Sequence, residues 1–459
     1  MMTLSALALA VNGVVLGEDV SFTSVGTDSR NIEPGQLFVA LKGEHFDGNQ
    51  YAEQALLQGA AAVLISDDAL TVRPAVLVKD SRLALGQLAA YWRQTMPARV
   101  VAVTGSNGKT TTKEMLAAIL VAASGDAASV HATAGNLNND IGLPLTLLKT
   151  QSQHRYVVAE MGMNHLGEID YLTHIARPNV AVINNAGIAH IGELGSRENI
   201  AKAKGEIFAG LDAQGVAVMN ADDTFFSYWQ SLNAARKMVT FALHASADVT
   251  ATYTEFEGHL VVKFKTPEGV VETKLQVIGQ HNVYNALAAS ATAVALGISN
   301  AHIAQGLAAF AGVYGRLQRK LGLNGATLID DTYNANPDSM KAAIDVLSQY
   351  AQPRIFVMGD MGELGADAAE MHASIGRYAK EKGIEKMLSF GELSRLATAQ
   401  FGAGGKHFDA LDTLVEYAQS LMKQDVMVLV KGSRFMRMER VVQALQQNKT
   451  ENKEKAPCC

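Results

Sequence analysis

The sequence predicts an α/β protein of three domains: a small N-terminal α/β domain (1–81), a central domain built on a P-loop parallel sheet (82–313), and a C-terminal doubly wound, Rossmann-like domain (314–459). Three observations carry this. Strand-like apolar runs alternate with helix-period segments through most of the chain, the pattern of parallel sheets covered by helices. A strand, a glycine turn and a helix follow one another directly at 100–123. The length of 459 residues corresponds to roughly three domains, each large enough to bury its own core.

In the first domain, residues 36–41 read as a strand and 80–96 as the connecting helix. The central domain opens with a strand at 100–103, a turn at 105–108, and a helix that gathers Met115, Leu116, Ile119, Leu120 and Ala123 on one face. Further strands are expected at 156–159, 180–184 and 216–220. Gly312, Gly315, Gly322 and Gly325 then interrupt the periodicity, and charge collects at Arg316, Arg319 and Lys320, which marks the second boundary. Beyond it come a strand at 328–329, a helix started by Pro337 with Met340, Ile344 and Leu347 on one face, and strands at 355–358 and 426–430. Residues 448–459 are charged and read as a frayed tail.

Composition narrows the functional classes. Lys and Arg number 39 against 45 Asp and Glu, a net charge of −6, so there is no basic field to hold a nucleic acid. The only cysteines, Cys458 and Cys459, are adjacent and close no useful loop, which fits a reducing cytoplasm. The apolar run from Leu4 to Leu16 lacks the charged flank of a signal peptide, since the first cation is Arg30, and no stretch reaches the length of a membrane span. The expectation is a cytoplasmic monomer acting on small molecules.

The run Thr104-Gly105-Ser106-Asn107-Gly108-Lys109-Thr110-Thr111 between strand and helix has the geometry that wraps a polyphosphate. Glycines let backbone N–H groups point inward, and the helix N-terminus adds positive potential. Lys109 would reach the β- and γ-phosphates and Thr110 a Mg²⁺. Val103 stands where the general pattern has its first glycine, so this is a shortened variant. Glu160 and His190 follow predicted strands on the side of a parallel sheet where ligands bind. Taken singly, Glu160 reads equally as an exposed loop carboxylate and His190 as a structural histidine. Their order after the P-loop suits an ATP–Mg²⁺ site.

The P-loop variant Thr-Gly-Ser-Asn-Gly-Lys-Thr-Thr resembles that of the Mur ligases, ATP-dependent enzymes that build the peptide of bacterial cell-wall precursors. The resemblance runs over nearly the whole chain. Asp28-Ser29-Arg30, the run from Pro34 to Gly43 and Phe46-Asp47-Gly48 resemble the family's UDP-binding first domain, which implies substrate contacts at Ser29, Arg30, Lys42, Gly43, Phe46 and Asp47. Residues 135–144 resemble the loop facing the phosphates and the nucleotide substrate, implicating Asn138 and Asn139. Gly279-Gln280-His281-Asn282 looks like the adenine-side helix, which adds Asn282 to the ATP site, and Gly315-Arg316-Leu317-Gln318 the linker arginine that meets phosphate on closure.

Within the family, Asp330-Asp331-Thr332-Tyr333-Asn334-Ala335-Asn336-Pro337-Asp338-Ser339-Met340 and Val357-Met358-Gly359-Asp360-Met361-Gly362-Glu363-Leu364-Gly365 resemble the member that adds D-alanyl-D-alanine to a UDP-N-acetylmuramoyl-tripeptide. The resemblance implies Asp331 at ATP, Tyr333, Asn334 and Asn336 at substrate, and an acyl-phosphate intermediate. It also implies that Lys204, 14 positions after His190, carries a CO₂-derived carbamate and joins Thr110, Glu160 and His190 around Mg²⁺, two ions in all. Lys202 is the neighbouring candidate; spacing to Glu206-Ile207-Phe208 favours Lys204. Lys109, Glu160, His190 and Lys204 are the expected catalytic set. The alternatives are a Mur ligase adding a diamino acid, whose Asp-Asn-Pro-Arg motif the chain lacks, a P-loop ATPase acting on a protein partner, and a non-catalytic nucleotide-binding regulator.

Overall fold

The computed structural model describes residues 1–256, 258–351 and 353–447; the expected tail with Cys458 and Cys459 lies outside the described residues. Among the described residues, three main sheets follow one another along the chain, and a short two-stranded ladder pairs Met2–Thr3 with Ser21–Phe22.

The first sheet is small and mixed, with Gln36–Val39 at its heart between Ser24–Gly26 and Ala62–Ile65. Its strand ends at Val39, two residues short of the expected span, although Ala40 and Leu41 stay buried. One face closes on Phe38, Ala52, Ala55 and Val63. The other, with Leu37, Val39 and Leu64, runs without interruption into the core beneath the central sheet. Helix Ser81–Thr95 forms this junction. Asp80 caps it by accepting from the Arg82 and Leu83 amides, and Ala84, Leu85, Leu88 and Ala89 form its buried stripe.

The central sheet is parallel from Val130–Ala132 through Tyr156–Glu160, Arg99–Thr104, Val180–Ile183, Val216–Asn220 and Lys237–Ala242 to Val249–Phe256. Two antiparallel strands, His259–Thr266 and Gly269–Leu275, extend it. Both faces of the parallel part are covered, so alternate residues of Arg99–Thr104 serve two cores. Val101 and Val103 pack under helices Lys109–Ser124 and Gln280–Ala295; Val100 and Ala102 face the core shared with the first domain. Register places Glu160 level with Val103, and Ile183 level with Thr104, so the strand ends meet at the P-loop.

The third sheet is parallel through Thr327–Asp331, Met427–Lys431, Arg354–Gly359, Lys386–Phe390 and Gly405–Phe408, with one antiparallel edge strand, Gln318–Leu321. Helices cover both faces, giving the doubly wound arrangement. Asp331 and Lys431 end neighbouring strands in register and face the central domain. Among the described residues, no helix is long and apolar enough to cross a membrane.

Candidate active site

The central and C-terminal domains enclose a cleft of about 800 Å³. Its floor is the turn from Gly105 to Gly108, held by the Ser106 amide donating to the Asn185 carbonyl at 3.0 Å and the Asn107 amide to Asn185 Oδ1 at 2.9 Å. Gly108 has φ +81°, and a Cβ there would stand 2.0 Å from Asn285 Oδ1, so only glycine fits. Helix Lys109–Ser124 starts directly after it, which aims the first-turn amides at the cleft.

Lys109 folds back to donate to the Gly105 carbonyl at 2.8 Å. Desolvation lowers its pKa; Glu160 opposes that, and the Arg316 charge adds to it. Thr110 Oγ1 accepts from Arg316 at 3.2 Å, and the Arg316 guanidinium lies 4.3 Å from the Tyr333 ring centroid. Glu160, 2% exposed, accepts from Asn138 Nδ2 at 2.8 Å through Oε1; its Oε2 is buried without a hydrogen-bond partner among the described residues. His190 adopts φ +63° and brings Nδ1 within 2.9 Å of Glu363 Oε2. That contact, with the charge of Lys109, holds the Glu363 carboxyl below its ordinary pKa despite partial burial.

The C-terminal domain reaches the P-loop through Asn336, which donates from Nδ2 to Asn107 Oδ1 at 2.8 Å, and through Asp338, which accepts from the Ile188 amide at 3.0 Å. Asp331 accepts from the Leu317 amide and pairs with Lys431 at 2.7 Å; Lys431 also donates to the Asn334 carbonyl. Asn282 is buried, donating to the Ile278 carbonyl. Beside it, desolvation lowers the His281 pKa to about 4, with Asp331 opposing and Lys431 reinforcing the shift.

Of the residues expected from sequence, Ser106, Asn107, Gly108, Lys109, Thr110, Thr111, Asn138, Asn139, Glu160, His190, Asn282, Arg316, Asp331, Tyr333, Asn334 and Asn336 line this one cleft. Gly105 lies in the same turn. Lys204 does not line it: its side chain is 2% exposed on helix Arg197–Gly205, and desolvation, with the charge of Lys109, lowers its pKa well below the usual lysine value. The first-domain residues also lie outside the cleft lining. Arg30 pairs with Asp28 at the surface, near Ser29. Lys42, Gly43, Phe46 and Asp47 build a small turn, with Gly43 donating to the Phe46 carbonyl, Lys42 3.7 Å from Asp47, and Phe46 stacked on Tyr51. Next to Asn139, Asp140 accepts from Arg82 at 2.7 Å, on the first turn of the helix that follows the first domain.

Glu363 and Asp338 stand in the two C-terminal motifs quoted above but carry no assigned role there, and Lys431 is not singled out by sequence reasoning. Lys431 ends a parallel strand, the position that identified Glu160, so the same rule applied to 426–430 finds it.

Three family models match the chain: the Mur ligase family catalytic domain at 21–93, the Mur ligase middle domain at 103–293, and the Mur ligase glutamate ligase domain at 315–434. The UDP-N-acetylmuramoyl-tripeptide--D-alanyl-D-alanine ligase of Escherichia coli K12 is 44% identical over 98% of this chain and 99% of its own. A crystal structure of MurF from Acinetobacter baumannii superposes with a TM-score of 0.89 at 38% identity, covering 96% of this chain and 98% of that one. MurF from Thermotoga maritima in complex with ADP gives 0.82 at 29% identity, covering 92% and 96%.

Proposed function

The chain belongs to the Mur ligase family, and from that premise we propose how its cleft carries out the family's chemistry. It is an ATP-dependent ligase that adds D-alanyl-D-alanine to UDP-N-acetylmuramoyl-tripeptide, the activity named for relatives that match it end to end. The observation that carries the mechanistic reading is one cleft where Lys109 and Thr110 meet Arg316, Asp331 and Asn336 of the C-terminal domain, beside the partnerless Glu160 Oε2.

A carboxylate resists attack by an amine until its oxygen becomes a leaving group. An oxygen of the tripeptide carboxylate attacks the γ-phosphorus of ATP, the bond to the β-phosphate oxygen breaks, and ADP departs from an acyl phosphate. The dipeptide amine then attacks the acyl carbon, loses a proton, and expels inorganic phosphate. The protein supplies position and charge: Lys109 and the amides at 105–111 hold the phosphates, and Arg316 is placed to follow the γ-phosphoryl. Asn282 and Asp331 belong to the ATP site; Tyr333, Asn334 and Asn336 face the incoming dipeptide.

A hard cation suits the residues present, since Glu160 offers a buried carboxylate oxygen without a partner and Thr110 a hydroxyl in the same cleft. Thr110, Glu160, His190 and Lys204 as a carbamate would hold Mg²⁺, two ions in all, which supply charge neutralisation of the phosphates. The depressed pKa of Lys204 favours the neutral amine to which CO₂ adds. Residues 1–81 serve the UDP moiety through Ser29, Arg30, Lys42, Gly43, Phe46 and Asp47, with Asn138 and Asn139 bridging toward the phosphates; 82–313 serve ATP and 314–459 the dipeptide. We read the protein as a cytoplasmic monomer.

The test labels the terminal carboxylate of the tripeptide with ¹⁸O. One label atom should appear in the released phosphate, and ADP should be produced in multiple turnovers only with both substrates present, the tripeptide alone giving at most one ADP per enzyme. Full-rate ADP formation without either substrate, or unlabelled phosphate, would overturn the acyl-phosphate route.

A further inference from the structure

Lys113 is a fully buried cation that the chemistry above does not use. It lies on helix Lys109–Ser124 one turn beyond Lys109, with its side chain 0% exposed. Burying an ammonium is unfavourable without acceptors, and an unbranched apolar side chain would fill the slot without that penalty. Its acceptors are therefore informative. One is Glu114, a half-exposed neighbour at 2.8 Å; the other is the backbone carbonyl of Thr133.

Thr133, 1% exposed, is a node. Its amide donates to the Val158 carbonyl at 3.0 Å, and its hydroxyl accepts from the Glu160 amide at 2.9 Å. It also opens the loop whose Asn138 donates to Glu160 Oε1 and accepts from the Gly162 amide at 2.9 Å. Lys113 thus holds a residue that binds the Glu160 amide and opens the loop that satisfies one carboxylate oxygen. The other oxygen is left buried and partnerless.

We propose that Lys113 is a positioning residue that, through Thr133, fixes the Glu160 carboxylate with Oε2 presented to the divalent cation of the nucleotide complex. This rests on the reading of Glu160 as a cation ligand. Groups that orient a metal ligand typically govern affinity by 10–100-fold when removed.

The experiment measures Mn²⁺ binding to the ADP-loaded full-length protein by loss of the free Mn²⁺ electron paramagnetic resonance signal, and ADP affinity with and without Mn²⁺. Glu160→Gln should abolish most of the metal-dependent gain in ADP affinity. Lys113→Met should weaken Mn²⁺ binding about tenfold while metal-free ADP affinity stays near wild type. Thr133→Val, which keeps the carbonyl and loses the hydroxyl, should shift Mn²⁺ affinity in the same direction by less, and keeps the proposal testable should Lys113→Met not fold. Unchanged Mn²⁺ affinity in Glu160→Gln overturns the reading of Glu160. Lost affinity there, with wild-type Mn²⁺ affinity in a folded Lys113→Met or in Thr133→Val, overturns the positioning role alone. A merely structural role would lower melting temperature and metal-free ADP affinity together and leave the metal-dependent ratio untouched.

Discussion

The proposed chemistry asks opposite things of two lysines, a retained positive charge of Lys109 and a neutral amine of Lys204. Lys109 sits at the P-loop, where an ammonium stabilises charge on the transferring phosphoryl group. Lys109→Ala should lose turnover by at least about 100-fold with its melting temperature close to wild type, since its partner is a backbone carbonyl; activity within tenfold of wild type would remove it from the mechanism. Lys204 is desolvated, and the Lys109 charge depresses it further. If it acts as a carbamate, Lys204→Ala loses activity, and a small added carboxylate restores part of it. Full activity in that variant counts against the carbamate. His281 gives a pH test. Its pKa falls from about 6.5 unfolded to about 4 folded, so below about 6.5 the unfolded chain binds the proton that the folded chain refuses. Its contribution is complete above the unfolded value and drains away as pH falls toward the folded one. His281→Gln should flatten the drop in stability between pH 7 and 4.5 by on the order of 2 kcal/mol, read from urea midpoints.

Elements show how far local sequence reaches. The strands at 156–159 and 216–220 and the helix beginning at Pro337 were legible because both faces of the parallel strands are buried, giving unbroken apolar runs, and because Asn336 and Pro337 announce a helix start. The edge strands of the central sheet, Val249–Phe256, His259–Thr266 and Gly269–Leu275, were not. Their buried residues alternate with polar ones, and charges such as Lys263, Lys265 and Glu272 dominate the outer face. Glu363 and Asp338 stand in quoted motifs but receive no role from sequence, because their contacts cross between domains, a juxtaposition no local window contains. Asn336 combines two jobs at one helix end. Its Oδ1 accepts from the Ser339 amide as the cap, while its Nδ2 reaches Asn107. Asn336→Ala should therefore cost about 1 kcal/mol of stability along with activity. Asn336→Ser should keep the cap and lose turnover alone. Equal turnover in Asn336→Ser and wild type would show that the bond to Asn107 is dispensable.

At the scale of the whole molecule, the proposed chemistry needs two domains to meet, because the phosphate loop belongs to one and Arg316, Asp331 and Asn336, which line the same cleft, to the linker and the other. The meeting surface is built closely enough to be tested without touching a substrate-facing side chain. Gly192 donates its amide to the Glu363 carbonyl at 3.1 Å, and a Cβ at Gly192 would stand 2.6 Å from the Gly365 amide nitrogen. Both obstacles are backbone, which cannot swing aside as a side-chain tip can. Alanine is compatible with the short helix in which Gly192 sits, so the substitution should spare the central domain while forbidding this docking. Gly192→Ala should raise the radius of gyration measured by solution scattering with nucleotide and both substrates bound. It should also lower turnover by at least about tenfold, because positioning lost by even about 1 Å is expensive in rate. ADP affinity, set by the P-loop amides, should change little. Wild-type scattering and turnover in Gly192→Ala would mean that the contact between Gly192 and the 363–365 turn is incidental, and that catalysis proceeds from a different apposition of the two domains.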